Sequence, residues 1–162
     1  MASHPPDKDS VKPASGTPIF RKLDRAEIDA LLARNQVGRV AYSLHDRVDI
    51  EPISYAYSEG WIYGRTSHGT KLAVISHHRW VAFEVDEVHG PFDWQSVVVK
   101  GAFYLISADT PETHDPAFTR GVELLRAIVP ETLTANDPTP FRHSIFRIHL
   151  DEVSGRSAST KG

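Results

Sequence analysis

An alternating segment, a tight turn and a short return strand constrain the fold of this chain most strongly. Residues 47–57 alternate between two faces, which is the two-residue period of a β-strand. Ser58-Glu59-Gly60 then gives a hairpin signal, and residues 61–65 form the return strand. Strands joined by so short a turn pair antiparallel. Pro52 cannot donate to the ladder, so it indicates an edge, a bulge or a special function at that point.

The rest of the chain continues this pattern. Further strands are predicted at residues 37–43, 80–88, 96–107 and 141–150. One helix begins after Asp24, where Glu27 completes a capping box, and others are predicted at residues 70–77 and from Pro111 to about residue 128. Because hairpin-type links join most strands, six or so mostly antiparallel strands favour a mainly β fold. We therefore expect a β-barrel with flanking helices.

Composition bounds the domain and its surroundings. The 162 residues suit one domain, predicted at residues 19–156 between a disordered tail at residues 1–18 and a C-terminal tail at residues 157–162. Eighteen basic and 21 acidic residues leave no positive excess for nucleic acid, and no apolar run approaches the ~18 residues of a membrane span. The absence of cysteine excludes disulfides and thiolate sites and is compatible with a cytoplasmic location.

The segment from Trp61 to Leu72 suggests a phosphate-binding turn. A strand ends in small polar residues, a glycine follows, and a helix opens, so backbone N–H groups point outward toward an anion. Thr66, Ser67 and Thr70 would add hydroxyl donors, Lys71 a positive charge and Arg65 a bidentate fork. The alternative is an ordinary capped turn with a lysine on the surface.

Two other segments have features that suit a planar ligand. Trp94 stands with Ser96 where a long strand begins, and its ring could stack on a flat molecule or simply cover the core. In the segment Pro52-Ile-Ser-Tyr55, the proline leaves a neighbouring carbonyl unpaired, and Ser54 and Tyr55 offer hydroxyl groups. A heterocycle with donor and acceptor edges could be bound there.

The nine histidines do not form a metal-binding pattern. His77 and His78 are adjacent and so point in different directions, and His68 lies in a glycine turn. No carboxylate stands at a ligand spacing from them, so we expect no metal site. The alternative reading is that His77 and His78 are solvated side chains near the negative end of a helix dipole.

Taken in order, these segments resemble the pyridoxamine 5'-phosphate oxidase-like superfamily of FMN-binding split barrels. The nearest branch contains nitroimidazole-resistance and pyridoxamine-oxidase-related proteins. The resemblance runs from about Phe20 to Arg156. It rests on Val37-Gly-Arg-Val-Ala-Tyr42, Pro52-Ile-Ser-Tyr55, Ile62-Tyr-Gly-Arg-Thr66, Gly69-Thr-Lys71, Val81-Ala-Phe-Glu-Val-Asp86, Trp94-Gln-Ser-Val-Val-Val-Lys-Gly101 and the closing segment from Phe146.

The resemblance implies a homodimer with two FMN molecules at its interface. Residues along the isoalloxazine would be Pro52, Ile53, Ser54 and Tyr55. Residues holding the phosphate and ribityl chain would be Tyr63, Arg65, Thr66, Ser67 and Lys71. Trp94 and Ser96 would come from the partner subunit. The phosphate-binding turn inferred above from local chemistry falls on the same residues.

The implied function is that of an FMN-dependent oxidoreductase acting on a small molecule. The catalytic residues are unknown, and Tyr55, His68 and Arg65 are the only acid–base candidates. The resemblance implies that true pyridoxamine-phosphate oxidases have an Arg-Lys pair at the phosphate turn. This chain has Thr70-Lys71 there, so its substrate stays open.

Three alternatives to a flavin enzyme remain. The first is a non-catalytic flavin- or haem-binding module that stores or senses, in which a haem would need His68, His77 or His78 as axial ligand. The second is a deazaflavin in the same barrel, held by the same phosphate-binding turn. The third is a barrel that has lost its ligand.

Overall fold

The chain folds around a closed ring of antiparallel strands. The computed structural model describes residues 16–67, 69–106 and 115–160, and of residues 70–73 it describes the backbone alone. The elements in chain order are β1 (Pro18–Lys22), α1 (Arg25–Arg34), β2 (Val37–Leu44), β3 (Arg47–Ser58), β4 (Trp61–Thr66), α2 (Thr70–His78), β5 (Trp80–Gly90), β6 (Asp93–Ile106), α3 (Pro116–Arg126), β7 (Ser144–His149) and β8 (Glu152–Thr160).

Six strands close the barrel in the order β5-β2-β3-β4-β7-β6, and β6 returns to pair with β5. All these pairs are antiparallel. β8 and β1 extend the sheet outward from the first half of β6. The mainly β split barrel with flanking helices is therefore confirmed, with six strands in the ring and two beside it.

Strand β6 splits the barrel because it changes partners along its length. It pairs with β8 from Trp94 to Lys100 and with β7 from Phe103 to Ile106. Gly101 lies between the two stretches, and a Cβ there would be 1.8 Å from the carbonyl oxygen of His149. Only a residue without a side chain permits this approach of two backbones.

Alternation along the strands builds the core. Inward side chains such as Val40, Phe83 and Val97 fill the barrel, and Leu31 and Leu32 of α1 close over them. A second cluster lies outside the ring, where α3 covers β4 and β7. The capping box of α1 is confirmed, because the Asp24 carboxylate accepts from the Glu27 N–H and the Glu27 carboxylate accepts from the Asp24 N–H, both at 2.9 Å.

Both ends of the described chain differ from the sequence prediction. Residues 157–160 belong to β8 rather than to a tail, and they pair with β1, a strand that the sequence analysis missed. The pairing is made by backbone groups, and Ala158 is buried where Phe20 and Trp94 pack together. Residues 1–15 of the predicted N-terminal tail lie outside the described residues.

Two other elements begin later in the chain than the sequence predicted. Strand β7 begins at Ser144 rather than at residue 141, because residues 139–142 form a turn closed by the N–H of Arg142 donating to the carbonyl of Thr139. Helix α3 begins at Pro116 behind an Asp115 cap, and residues 107–114 lie outside the described residues. None of the helices in the described ranges is long and apolar enough to cross a membrane.

Candidate functional site

A cleft at one end of the barrel joins two of the segments singled out from the sequence. It encloses about 150 Å³ and is lined by Pro52 and Ile53 from β3 and by the consecutive residues Arg65, Thr66 and Ser67. Its apolar floor consists of the inward side chains of Val40, Ile53, Ile75, Phe103 and Phe146. Glu51, Phe141 and Arg142 complete the lining. The cleft thus combines an apolar floor with a polar edge.

The polar edge leads directly into the start of α2. Gly69 stands at the N-cap, no side chain caps the helix, and its first turn has no acidic residue. By contrast, Asp24 caps α1 and Asp115 caps α3. The first N–H groups of a helix are favourable to an anion, so this end suits a phosphate. The side chain of Lys71 and the whole of His68 lie outside the described residues.

Arg65, predicted as a phosphate ligand, is engaged within the chain. Its Nε–H donates to the carbonyl of Arg142 at 2.8 Å, and its two terminal nitrogens donate to the Asp137 carboxylate and to the hydroxyl and carbonyl of Thr139. These five hydrogen bonds use all five N–H groups of a guanidinium. In this arrangement Arg65 positions the turn beside the cleft and has no donor left for a phosphate.

Asp137 is the acceptor at the centre of this turn. Its carboxylate also accepts from the backbone N–H of Leu133 at 2.7 Å and of Thr139 at 2.9 Å. The side chains of Arg65 and Asp137 are only 10% and 2% exposed. Hydrogen bonding to Arg65, together with these N–H groups, lowers the pKa of Asp137 to about 2. The pair therefore fixes the backbone of residues 133–142 against the barrel.

The two tyrosines predicted at the site do not line the cleft. Tyr55 is fully buried, and its hydroxyl donates to the carbonyl of Leu32 at 2.7 Å. Burial raises the pKa of Tyr55 above its ordinary value. Tyr63 points to the opposite side of its strand and packs under α3 beside Gly121. A direct contact of either tyrosine with a cofactor stays a prediction.

Four of the predicted residues share one outward face of the sheet. The registers place Pro52 opposite Arg39, Arg39 opposite Glu84, and Asp86 opposite Ser96. We call this surface the outer face. Its members, by alternation, are Val37, Arg39, Ala41, Ser43, Val48, Ile50, Pro52, Ser54, Trp80, Ala82, Glu84, Asp86, Val88, Trp94, Ser96, Val98 and Lys100.

Pro52 and Trp94 nevertheless lie far apart within one chain. Their strands, β3 and β6, are separated by β2 and β5. Three inter-strand spacings amount to about 14 Å across the sheet before any displacement along the strands is added. One protomer therefore does not bring Trp94 against a ring that lies on Pro52.

The outer face is unusually apolar for a surface. Val37, Val48, Ile50, Trp80 and Val88 are all between 52% and 77% exposed. At one edge the Phe20 ring packs against Trp94, with centroids 6.3 Å apart, and against Phe92 at 6.5 Å. Clustered exposed apolar side chains of this kind mark interaction surfaces.

A small charged cluster lies within the outer face. The Arg39 guanidinium contacts Glu84 at 3.2 Å and Asp86 at 3.1 Å. The Ser96 hydroxyl donates to the Glu84 carboxylate at 3.4 Å. Burial raises the pKa of Glu84, with the Asp86 charge adding to the shift. Ser96, another predicted cofactor residue, thus has a partner within its own chain.

Two of the cleft residues that the sequence analysis did not predict lie in one turn. Phe141 and Arg142 line the cleft from the turn before β7, whereas the sequence pattern assigned them to a strand. The Arg142 guanidinium lies 5.7 Å from the Phe141 ring centroid and has no hydrogen-bond acceptor within the described part of the chain. No local motif marked either residue, because the fold of the turn depends on distant Arg65.

The histidines considered as haem ligands lie elsewhere, as far as they are described. His77 and His78 are exposed at the end of α2, with ring centroids 5.4 Å apart, and neither lines the cleft. Within residues 16–67, 69–106 and 115–160, no group of three histidine or carboxylate side chains is placed to hold a metal ion.

Comparison with known families agrees with the barrel fold. The sequence profile of the pyridoxamine 5'-phosphate oxidase family matches residues 24–157. This range spans the chain from the cap of α1 into β8. The chain therefore belongs to the pyridoxamine 5'-phosphate oxidase family.

Particular relatives match most of the chain. A crystal structure of an FAD-binding protein from Mesorhizobium loti is 28% identical, with a TM-score of 0.70, and covers 88% of this chain and 99% of its own. An FAD-binding protein from Mycobacterium smegmatis is 20% identical with a TM-score of 0.58, covers 85% and 97%, and shows the fold alone. An uncharacterized protein from Rhizobium meliloti is 24% identical over 86% of this chain and 96% of its own.

Proposed function

We propose that this protein binds FMN and is a flavin-dependent oxidoreductase acting on a small molecule. The observation that carries the proposal is the cleft itself. It places Pro52 and Ile53 beside Thr66 and Ser67, immediately before an uncapped helix N-terminus. The description of the Mesorhizobium relative as FAD-binding supports a flavin as the ligand class.

The residues present suit the parts of FMN. The hydroxyls of Thr66 and Ser67, the first N–H groups of α2 and Lys71 would hold the phosphate. Pro52, Ile53 and Ser54 would lie along the ring system, where the unpaired backbone beside a proline offers a carbonyl acceptor. Arg65 would support the site indirectly, by fixing the turn of residues 133–142, and Tyr55 would support it by packing in the core beneath β3.

We further propose that two copies pair through their outer faces and complete the site. The cleft of one protomer, at about 150 Å³, is smaller than the roughly 300–1,000 Å³ typical of ligand pockets. In a two-fold dimer the same patch meets itself, so Trp94 of the partner subunit can reach the Pro52 side of the first. The exposed apolar residues of the outer face would be covered in the same step.

Bound FMN would supply hydride or electron-pair transfer with the substrate at its N5 atom. The contribution of the chain is to bind the phosphate, orient the ring on β3 and exclude water with Trp94 of the partner subunit. Glu51 and Arg142 are charged groups at the cleft, and we assign no proton transfer to either. The proposal includes the cytoplasmic location that the sequence led us to expect.

A non-catalytic flavin module would use the same cleft, and turnover alone separates it from an oxidoreductase. A haem would need an axial ligand, and the exposure of His77 and His78 away from the cleft favours a flavin. A deazaflavin shares the phosphate-binding end and is separated from FMN by direct competition.

The test is a titration of the full-length, cofactor-free protein with FMN, FAD and haem, followed by flavin fluorescence and visible absorption. Lys71→Ala should weaken FMN binding by about 1.5–3 kcal/mol, the range for a hydrogen bond to a charged group. Lys22→Ala, on exposed strand β1, is the matched control and should leave the affinity unchanged. Unchanged affinity in Lys71→Ala would contradict the phosphate assignment, and selective haem binding would contradict the flavin.

A further inference from the structure

Two arginines line the cleft, and they differ in burial and in hydrogen bonding. Arg65 is largely buried and donates all five N–H groups to acceptors within the chain. Arg142 is exposed, and its guanidinium reaches no acceptor among the described residues. Arg142 is therefore the arginine whose donors are available to a ligand in this cleft.

The position of Arg142 in the fold places it at the phosphate-binding end of the cleft. Thr66, the last residue of β4, pairs with Ser144, the first residue of β7. Arg142 stands two residues before Ser144, so it lies beside the point where Thr66 and Ser67 lead into α2. All three residues, Thr66, Ser67 and Arg142, line the same cleft.

The backbone of Arg142 is held in place by the buried pair. The Nε–H of Arg65 donates to the Arg142 carbonyl, and Asp137 fixes the preceding turn through Arg65 and two backbone N–H groups. The Phe141 ring lies beside the Arg142 guanidinium. A side chain presented on a fixed backbone loses less freedom when it binds.

We propose that Arg142 binds the phosphate of FMN, and that Arg65 and Asp137 are the positioning residues that hold it there. The inference rests on the proposed function and adds to it a residue outside the phosphate-binding turn recognised in the sequence. A guanidinium offers two parallel N–H donors that match two phosphate oxygens, which a single lysine does not.

The experiment compares FMN with riboflavin, which has the same ring and ribityl chain but no phosphate. Dissociation constants for both are measured by flavin fluorescence quenching on the full-length protein and on Arg142→Ala, Arg142→Lys and Arg120→Ala. Arg120 is an exposed arginine of α3 outside the cleft and controls for the loss of one positive charge. Because Arg65 binds the backbone of Arg142, Arg142→Ala retains that hydrogen bond, and an unchanged Tm verifies the fold.

We expect Arg142→Ala to weaken FMN binding roughly 10- to 100-fold while leaving riboflavin within about twofold. Arg142→Lys should recover part of the loss, and Arg120→Ala should match the wild type. Equal losses for FMN and riboflavin, or no loss for either, would overturn the inference while the proposed function stands. A wild-type protein that binds neither flavin would overturn the proposed function and the inference together.

Discussion

At the scale of single residues, the chemical type of a side chain was easier to predict than its partner. Arg65 was recognised as a cation beside the phosphate-binding turn, and it does line the cleft. Its fork is nevertheless taken by Asp137 and Thr139, more than 70 positions further along the chain. The sequence around Arg65 contains no sign of these distant acceptors, so the role of a positioning residue could not be inferred from it.

The Arg65–Asp137 pair predicts how stability depends on pH. The pKa of Asp137 is about 2 in the folded protein against an ordinary value of 3.8, so between these values the unfolded chain binds more protons. The stabilisation is complete above pH ~4 and is lost as the pH falls toward 2. Glu27, held by Arg21 and the Asp24 N–H, and Glu87, held by Arg34 and Asn35, have pKa values lowered to about 2 and act in the same direction.

Replacing Asp137→Asn should lower Tm at pH 7 by roughly 5 °C or more, because it leaves the buried Arg65 guanidinium without a carboxylate to balance its charge. The same variant should show a shallower loss of stability between pH 4 and pH 2 in urea unfolding. Asp46→Asn, in the exposed β2–β3 turn, is the control. A curve for Asp137→Asn that parallels the wild type over this range would contradict the assigned role.

At the scale of elements, the strands with clear alternation and hairpin signals were predicted from the sequence. The strand β1 and the end of β8, which lie beside the ring, were not. β3 and β4 were predicted within a residue of their observed ends, because a hydrophobic face and a glycine turn encode them locally. β1 has only five residues, four of them exposed, and the end of β8 consists of serine, alanine and threonine; β1 pairs with β8, and β8 pairs in turn with β6. Such edge pairing depends on the completed sheet, so the local sequence pattern predicts it poorly.

The exchange of partners along β6 depends on Gly101. We expect Gly101→Ala to destabilise the protein by roughly 1–3 kcal/mol, the range for forcing extra volume into a packed interior, because its Cβ would meet the His149 carbonyl. Gly90→Ala is the matched control in the same sheet, since a Cβ there meets nothing within 4 Å. Urea unfolding of both variants measures the difference, and equal stabilities would contradict this account of how the barrel closes.

At the scale of the whole molecule, pairing of two outer faces would explain both the small size of the cleft and the exposed apolar side chains of the outer face. The cleft is small for a flavin, and the apolar outer face carries Trp94 on β6, three strand positions away from the β3 strand of Pro52. Pairing two copies would bring these parts together. From the sequence, the dimer was predicted only through family resemblance. The outward residues that share one face can be recognised only once the strand order and register are known.

Ile50→Lys places a charge on the β3 strand of the outer face and should convert the proposed dimer to a monomer. The FMN affinity should fall with it, because each site would lose Trp94 of the partner subunit. Leu105→Lys introduces the same charge at another exposed apolar residue, outside the outer face, and should leave the dimer intact. Light scattering reports the mass, and a dimeric Ile50→Lys protein would rule out this face as the interface.

The measurement that tests the central claim most directly is gel filtration of the FMN-reconstituted protein with light scattering and full visible absorption. We predict one peak at twice the 18.0 kDa of one chain, with the two absorption bands of a flavin and one FMN per chain. A monomeric peak, a colourless protein after reconstitution, or the single intense band of a haem would contradict a flavin site completed by two copies of this chain.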